Sequence, residues 1–401
     1  MAPDGEMPHF RDDPGNITPA QSTVKTTMTE LLSLFSEVRS VVIRGDEIVQ
    51  GTLSEEVSPR DPEVQRILTE WGGTHFLHQT DEGTEVTLVR PIGPRRRERW
   101  WLHGLLALAT FLTTTIAGAY FLGRSPLALF WLDLRLLFLP LPLGVDPSEL
   151  AFGLFFSVPL MTILLGHELG HYFVGRARGM DVSPPYFIPA PTWINFIGTF
   201  GAFIRLRSVV INRIVLLEVG AGGPIASFLL SIPFTLLGLS WSRQSGAPAA
   251  EATAPYVVSF AGHAIWLGDS LLFHFLRTVA LPGEGFVHLH PIAFAGWIGL
   301  FITALNLVPL AQLDGGHILY ALVGSAQRYF GLAFLALLLV LGRTWWGWWL
   351  WAGLIVVIGR GSIRHPSVFD PEPPVTGPRR LLGWLCILIF VITFMPLPLQ
   401  T

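Results

Sequence analysis

The amino-acid sequence predicts an all-α polytopic membrane protein with a short membrane-associated β or re-entrant segment, preceded by a small α+β soluble module. Three observations lead there. Of 401 residues, 51% are hydrophobic and only 14% charged, where soluble domains carry about a quarter charged residues. Several apolar stretches reach the roughly 20 residues needed to cross a bilayer. The first 99 residues differ from the remainder of the chain in being polar and turn-rich. A net charge of -3 argues against a nucleic-acid partner. The lone Cys386 permits neither an internal disulfide nor a thiolate metal cluster.

Residues 1–22, with scattered Pro, Gly and Asp, are expected to be a disordered N-terminus, and they contain no apolar core of signal-peptide type. Residues 23–99 form the expected soluble, cytoplasmic module. Within it Glu30 to Val38 suits an amphipathic helix, whereas Ser40 to Val49 and Glu85 to Val89 alternate like strands. Pro62 to Trp71 reads as a helix with Pro just inside its start and Gly72 and Gly73 closing it.

Residues 100–401 form the expected transmembrane domain. Arg95, Arg96, Arg97 and Arg99 stand before the apolar run Trp100 to Leu122, which places the N-terminus on the cytoplasmic side, as in a bacterial cytoplasmic membrane. Ser125 to Leu143, broken by Asp133, Arg135 and prolines, is read as lying at the outer interface. Glu149 to Val174 spans, and Pro184 to Arg213, rich in Pro, Gly and aromatics, suits a re-entrant or strand-forming segment. Ile214 to Leu239 spans again. Tyr256 to Leu281 contains His263, Asp269, His274 and Arg277 and is read as a half-buried outer helix. His290 to Leu307 then breaks at Pro309, Phe330 to Leu341 and Trp345 to Ile358 form a hairpin, and Leu381 to Leu399 is the last span. Arg360, Arg364, Arg379 and Arg380 mark the inner side, for about seven crossings in all.

Gly166 to His171 reads G-H-E-L-G-H. Histidines four apart share one helical face, so His167 and His171 can converge on one zinc ion, with Glu168 offset towards an open coordination position as general base. In an otherwise apolar helix, each ionisable group costs about 2.5 kcal/mol or more at depth. Three in one turn call for a compensating partner, and a metal supplies it. A third ligand is required, and Asp314 in N-L-V-P-L-A-Q-L-D-G-G-H is the candidate, beside the helix-breaking Pro309 and Gly315–Gly316. The competing reading is a surface turn with a capping Asp.

These two motifs, in this order, resemble the site-2 protease family of intramembrane zinc metalloproteases, over about Trp100 to Leu399. The resemblance implies one zinc per chain on His167, His171 and Asp314, with Glu168 catalytic and Asn306 contacting substrate backbone or the oxyanion. It further implies that Asn195 to Ile204, with Gly198, Thr199, Phe200 and Gly201 at its centre, pairs with an unwound substrate. Implied partners are single-span membrane protein substrates within the lipid bilayer. Gly222 to Ser227 resembles the small-residue motif of the third core helix, although the family often has Asn or Gly where Ser227 stands. The soluble N-terminal module and the T-L-V-R-P segment, Thr87 to Pro91, resemble the bacterial and plastid subgroup.

Other polar residues have simpler readings. His317 suits a donor to a ligand, an alternative ligand or a cap, and the outer histidines are expected to be solvated rather than a second metal site. Trp345 to Trp351 reads as an interfacial belt. Arg205, Arg207 and Arg213 are expected to hold their loop at the inner surface. A transporter would show an inverted repeat, and no second H-E-x-x-H half occurs.

Overall fold

A computed structural model describes residues 33–43, 45–54, 57–71, 73–80, 83–92, 97–133, 138–246, 254–283, 285–310, 312–359, 365, 368–369 and 374–400. The expected disordered stretch 1–22 and the inner-side Arg360 and Arg364 lie outside these residues. The chain divides into two units, Met1–Arg96 and Arg97–Thr401.

In the first unit, strands β1 (Phe35–Ile43), β2 (Asp46–Leu53), β3 (Thr74–Thr80) and β4 (Gly83–Pro91) form an antiparallel sheet in the order β1-β2-β4-β3. Helix α1 (Pro62–Glu70) has Pro at its first position and turns Val64, Ile67 and Leu68, spaced i, i+3, i+4, onto Val49, Val86 and Leu88 of the sheet. Two expectations are corrected here. No helix runs to Val38: Phe35 onward is strand, because Val38, Val41, Val42 and Ile43 pair in register with β2, and β-branched side chains favour that pleat once a partner strand exists. Strand β3 was not anticipated.

The second unit begins with α2 (Trp100–Phe121), a β5–β6 hairpin (Leu127–Asp133, Phe138–Val145) and a short α3 (Pro147–Ala151) capped by Asp146. Helix α4 (Leu154–Ala177) leads to a second hairpin, β7 (Tyr186–Pro189) and β8 (Thr199–Phe203). Helix α5 (Arg213–Ser240) starts at Asn212, whose Oδ1 accepts from the Val215 amide at 3.0 Å. Next come β9 (Arg243–Ser245), β10 (Tyr256–Phe260), β11 (His263–Leu267), α6 (Leu271–Ala280), β12 (Phe286–His288), and helices α7 (Pro291–Asn306), α8 (Asp314–Val323), α9 (Gln327–Leu341), α10 (Gly347–Ile358) and α11 (Pro378–Thr393). The final strand β13 (Leu399–Gln400) closes a five-stranded sheet ordered β13-β11-β10-β12-β9.

Among the described residues, three helical runs are long and apolar enough to cross a membrane: Trp100–Phe121, Arg213–Ser240 and Asp314–Leu341. Shorter apolar helices cover Leu271–Ala280, Pro291–Asn306 and Gly347–Val357. This is a polytopic membrane protein, but fewer helices meet both criteria than the about seven crossings read from the sequence. Helix α4, at 24 residues, has the length yet carries His167, Glu168, His171 and Arg176. The stretch Tyr256 to Leu281 is not one helix. It holds a β-hairpin whose two-residue loop, Ala261 and Gly262, has positive φ at both positions (49° and 85°), followed by α6. The tryptophan run is not wholly an interfacial belt either: Trp348 is buried, stacks on Phe394 and donates to Pro396 O at 2.8 Å, while Trp346 and Trp349 are exposed.

The β7–β8 hairpin is held at several points. Thr113 Oγ1 on α2 donates to Gly198 O at 2.6 Å, and Asn195 Nδ2 donates to Thr199 O at 2.7 Å. His103 Nδ1 donates to Pro185 O at 2.9 Å, and Arg207 pairs with Glu98 while lying 3.8 Å from Asp181. The Arg207 guanidinium holds the Glu98 carboxyl below the usual carboxylate range. Arg207 therefore ties the hairpin's base to the start of α2. Gly198 sits at φ +86°, and a Cβ there would lie 2.5 Å from Thr113 O. Gly198→Val should thus cost about 1–3 kcal/mol through left-handed strain and crowding. Thermal unfolding in detergent should show a lowered midpoint, while Gly246→Ala, with nothing within 4 Å of the new methyl, should leave it unchanged.

Candidate metal centre

Helix α4 carries its polar residues on a buried face, with His167, Glu168 and His171 each no more than 6% exposed. It can approach α5 because both present glycine at the crossing: a Cβ on Gly170 would stand 2.3 Å from Gly222 O. Asp314 arrives from the other side. Helix α7 ends at Asn306, the chain turns through Pro309, and α8 restarts with Asp314 as its first residue. Gly315 permits the turn, since a Cβ there would meet Leu307 O at 1.9 Å. The residue flanking α8 is Leu313, which makes no side-chain cap. The Asp314 carboxylate is thus aimed at the histidines, not at the start of its own helix.

Three donor atoms converge. His167 Nε2 and His171 Nε2 lie 3.1 Å apart, and Asp314 Oδ2 is 3.4 Å from the first and 3.2 Å from the second. A tetrahedral ion with ligands at about 2.0–2.1 Å separates its ligand atoms by about 3.3 Å, so the triangle has the right edge length. Tautomer accounting agrees. His171 Nδ1 lies 2.7 Å from Val219 O, which can only accept, so Nδ1 bears the proton and Nε2 presents a lone pair. His167 Nδ1 lies 3.1 Å from Ser227 Oγ, which is 2.8 Å from Thr303 Oγ1, whose hydroxyl donates to Gly299 O at 2.7 Å. The chain is complete when His167 Nδ1–H donates to Ser227, again leaving a lone pair at Nε2. Two lone pairs and a carboxylate oxygen this close repel one another unless a cation lies among them. The N₂O donor set and its spacing fit a divalent transition ion such as zinc better than magnesium or calcium, which take oxygen ligands.

Glu168 and Asn306 border the same recess, of about 280 Å³, with Ala202, Phe203 and Ile204 beyond them. Asn306 Nδ2 is 3.2 Å from His167 Nε2. Of the residues expected to pair with substrate, Thr199, Phe200 and Gly201 line an adjoining cleft of about 320 Å³ that shares His167, Glu168, Ala202 and Asn306 with the recess. Gly198 borders neither cavity and is bound to α2 instead.

Sequence reasoning missed two residues outright in their present roles. Ser227 stood out only as a departure from the family pattern, and Thr303 drew no notice, although it lies one turn before Asn306 on α7. His317 lines the recess, and its Nδ1 lies 2.6 Å from His365 Nε2. Among the described residues, His167, His171 and Asp314 form the one grouping of three or more His, Cys, Asp or Glu suited to a metal. Between α5 and α7, His274 Nδ1 pairs with Asp269 Oδ2 at 2.9 Å, and His290 caps α7 by accepting from the Ile292 amide.

Comparison with known proteins gives the same region. Residues 155–341 match Peptidase family M50. The chain is 31% identical over 240 residues to a protein named probable zinc metalloprotease EGY1, chloroplastic, of Arabidopsis thaliana, covering 59% of this chain and 42% of that protein. It is 33% identical over 227 residues to probable zinc metalloprotease EGY2, chloroplastic, of Oryza sativa subsp. indica, covering 55% and 39%. A third, probable zinc metalloprotease EGY1, chloroplastic, of Oryza sativa subsp. japonica, is 31% identical over 274 residues, covering 66% and 43%. The chain thus spans about two fifths of the length of these curated relatives. No solved structure matches.

Removing the hydroxyl that orients His167 should loosen the metal without abolishing the fold. Ser227→Ala is expected to weaken zinc affinity about 10- to 100-fold in chelator competition. Asp314→Ala should lose stoichiometric zinc in the purified protein.

Proposed function

Residues 155–341 carry the peptidase M50 domain of the site-2 protease family, and from that premise we propose that this chain is a zinc metalloendopeptidase cutting peptide bonds within transmembrane segments of other membrane proteins. The convergence of His167 Nε2, His171 Nε2 and Asp314 Oδ2 beside Glu168 is the observation that carries the reading. One zinc ion would be held by those three atoms. Bound there, it would supply Lewis acidity, bringing the pKa of water towards about 7 and polarising the substrate carbonyl.

The chain's own residues do the rest. Glu168 accepts the proton of the attacking water and returns it to the leaving amine nitrogen, so a single carboxylate serves as base and then acid. The Asn306 amide donates a hydrogen bond to the carbonyl oxygen as negative charge develops on it. Ser227 and Val219 O keep both imidazoles in the tautomer that presents Nε2. The β8 strand, bonded to β7 along one edge, offers its other edge to a substrate segment that has left helical geometry. Unwinding is required because a carbonyl within a helix is already hydrogen-bonded and enclosed by neighbouring turns. A strand at membrane depth is tolerated where protein or a wet cavity covers its backbone, and on this reading the free edge of β8 faces the cleft beside the metal centre.

Substrates on this reading are single-span membrane proteins entering laterally from the bilayer. Residues 23–99 act as a soluble module on the cytoplasmic side, ahead of the membrane domain 100–401, with the orientation set by the arginines before Trp100. Glu168→Gln is expected to abolish cleavage and preserve bound zinc. The test compares membrane-protein fragments in cells carrying wild type or Glu168→Gln. Fragments present in both strains, or zinc lost from the variant, would count against the assignment.

A further inference from the structure

The cleft beside the metal centre is more than an approach path. One wall is α7, whose Phe294, Ile298, Phe301 and Leu305, spaced i, i+4, i+7, i+11, present a single apolar face running down to Asn306. Trp297 reinforces that wall. Its ring stacks on Phe301 with centroids 5.5 Å apart, and its indole N–H is already engaged with Gly268 O at 2.9 Å, so it brings no unmet donor to the cleft. Phe200, 60% exposed on β8, faces the same space.

The size of this space sets what fits. An apolar cavity of about 150 Å³ already holds a benzene ring, and the cleft here measures about 320 Å³. It shares Glu168 and Asn306 with the recess at the metal centre, so it lies within one side chain's reach of the reacting carbonyl. A strand laid along β8 sends successive side chains to opposite faces, which directs a residue beside the scissile bond towards α7 while its neighbour points away.

We propose that the cleft between β8 and α7 is a specificity subsite that takes one large apolar side chain, best an aromatic one, from a residue flanking the scissile bond. This rests on the protease reading above. Because the substrate arrives from lipid, leaving lipid brings no hydrophobic gain. Selection therefore comes from filling the cleft, where a small side chain leaves its walls without contacts, and from rejecting a carboxylate, which would be desolvated beside Glu168 in the same lining. The expected discrimination is correspondingly modest, about tenfold between phenylalanine and alanine.

The test uses full-length, zinc-loaded protein in liposomes with a single-span leucine–alanine reporter carrying one Gly–Pro pair. Cleavage sites are mapped by mass spectrometry, and the two flanking positions are then varied through Ala, Leu, Phe and Asp. At one of them kcat/KM should rise about tenfold from Ala to Phe and be lowest for Asp. Ile302→Trp, which fills the cleft, should erase or invert the Phe-to-Ala ratio, and Phe301→Ala, which strips contacts from its wall, should lower the ratio. Bound zinc and thermal midpoint report whether each variant is folded, and the scan on wild type stands independently of them. Equal cleavage of Ala and Phe reporters at both positions overturns the subsite alone. Failure of zinc-loaded wild type to cut any reporter overturns the protease reading and the subsite with it.

Discussion

Two imidazole lone pairs and a carboxylate oxygen held within 3.4 Å of one another are the constraint around which this molecule is arranged. In the low dielectric between packed helices, such a cluster is unstable without positive charge at its centre, and each uncompensated group there is costly. The rest of the fold supplies what that cluster demands. It brings three elements distant in sequence to one point, fixes the donor atoms, and leaves one side of the point open.

Close approach comes from small residues, which is how helices associate in lipid without a hydrophobic driving force. Glycines let α4 cross α5, and a Cβ on Gly299 of α7 would come within 2.3 Å of Ser231 Oγ on α5. That proximity allows Ser227 and Thr303, from two different helices, to share a hydrogen bond behind His167. The broken link between α7 and α8 is equally functional. A continuous helix would present Asp314 only through helical geometry, whereas the turn at Pro309 and Gly315 starts a new helix with that carboxylate at its first position. The positive end of the α8 dipole there also favours an anionic side chain.

How much of this was legible depends on whether a feature is local. The pairing of His167 with His171 follows from helical period alone, and Asp314 is conspicuous because an acid beside Pro and Gly in an apolar setting has little reason to be there. The Ser227–Thr303 tie was not readable, because it joins residues 76 positions apart and exists only once α5 and α7 cross. Strand β1 resembles a helix in sequence for the same reason: its pairing with β2 is tertiary information, while amphipathic spacing is ambiguous over short runs. The stretch Tyr256 to Leu281 misleads through its length. The β-branched and aromatic residues of Tyr256–Phe260 and the Ala261–Gly262 dipeptide are the available hints of a hairpin, outweighed by apolar character that a sheet edge and a helix share.

The fastening of the β7–β8 hairpin to α2 at Gly198, and at its base through Arg207, bears on accuracy. A strand advances about 3.3 Å per residue, so an extended chain laid along β8 is graduated in steps of that length, and sliding by one step swaps which side chain faces α7. On the proposed reading an anchored hairpin would therefore act as a measuring edge, with Glu168 as its index mark. Uniform product ends would be a property of the anchoring threonine on α2 as much as of the zinc ligands, and a loosened edge would yield ragged ones.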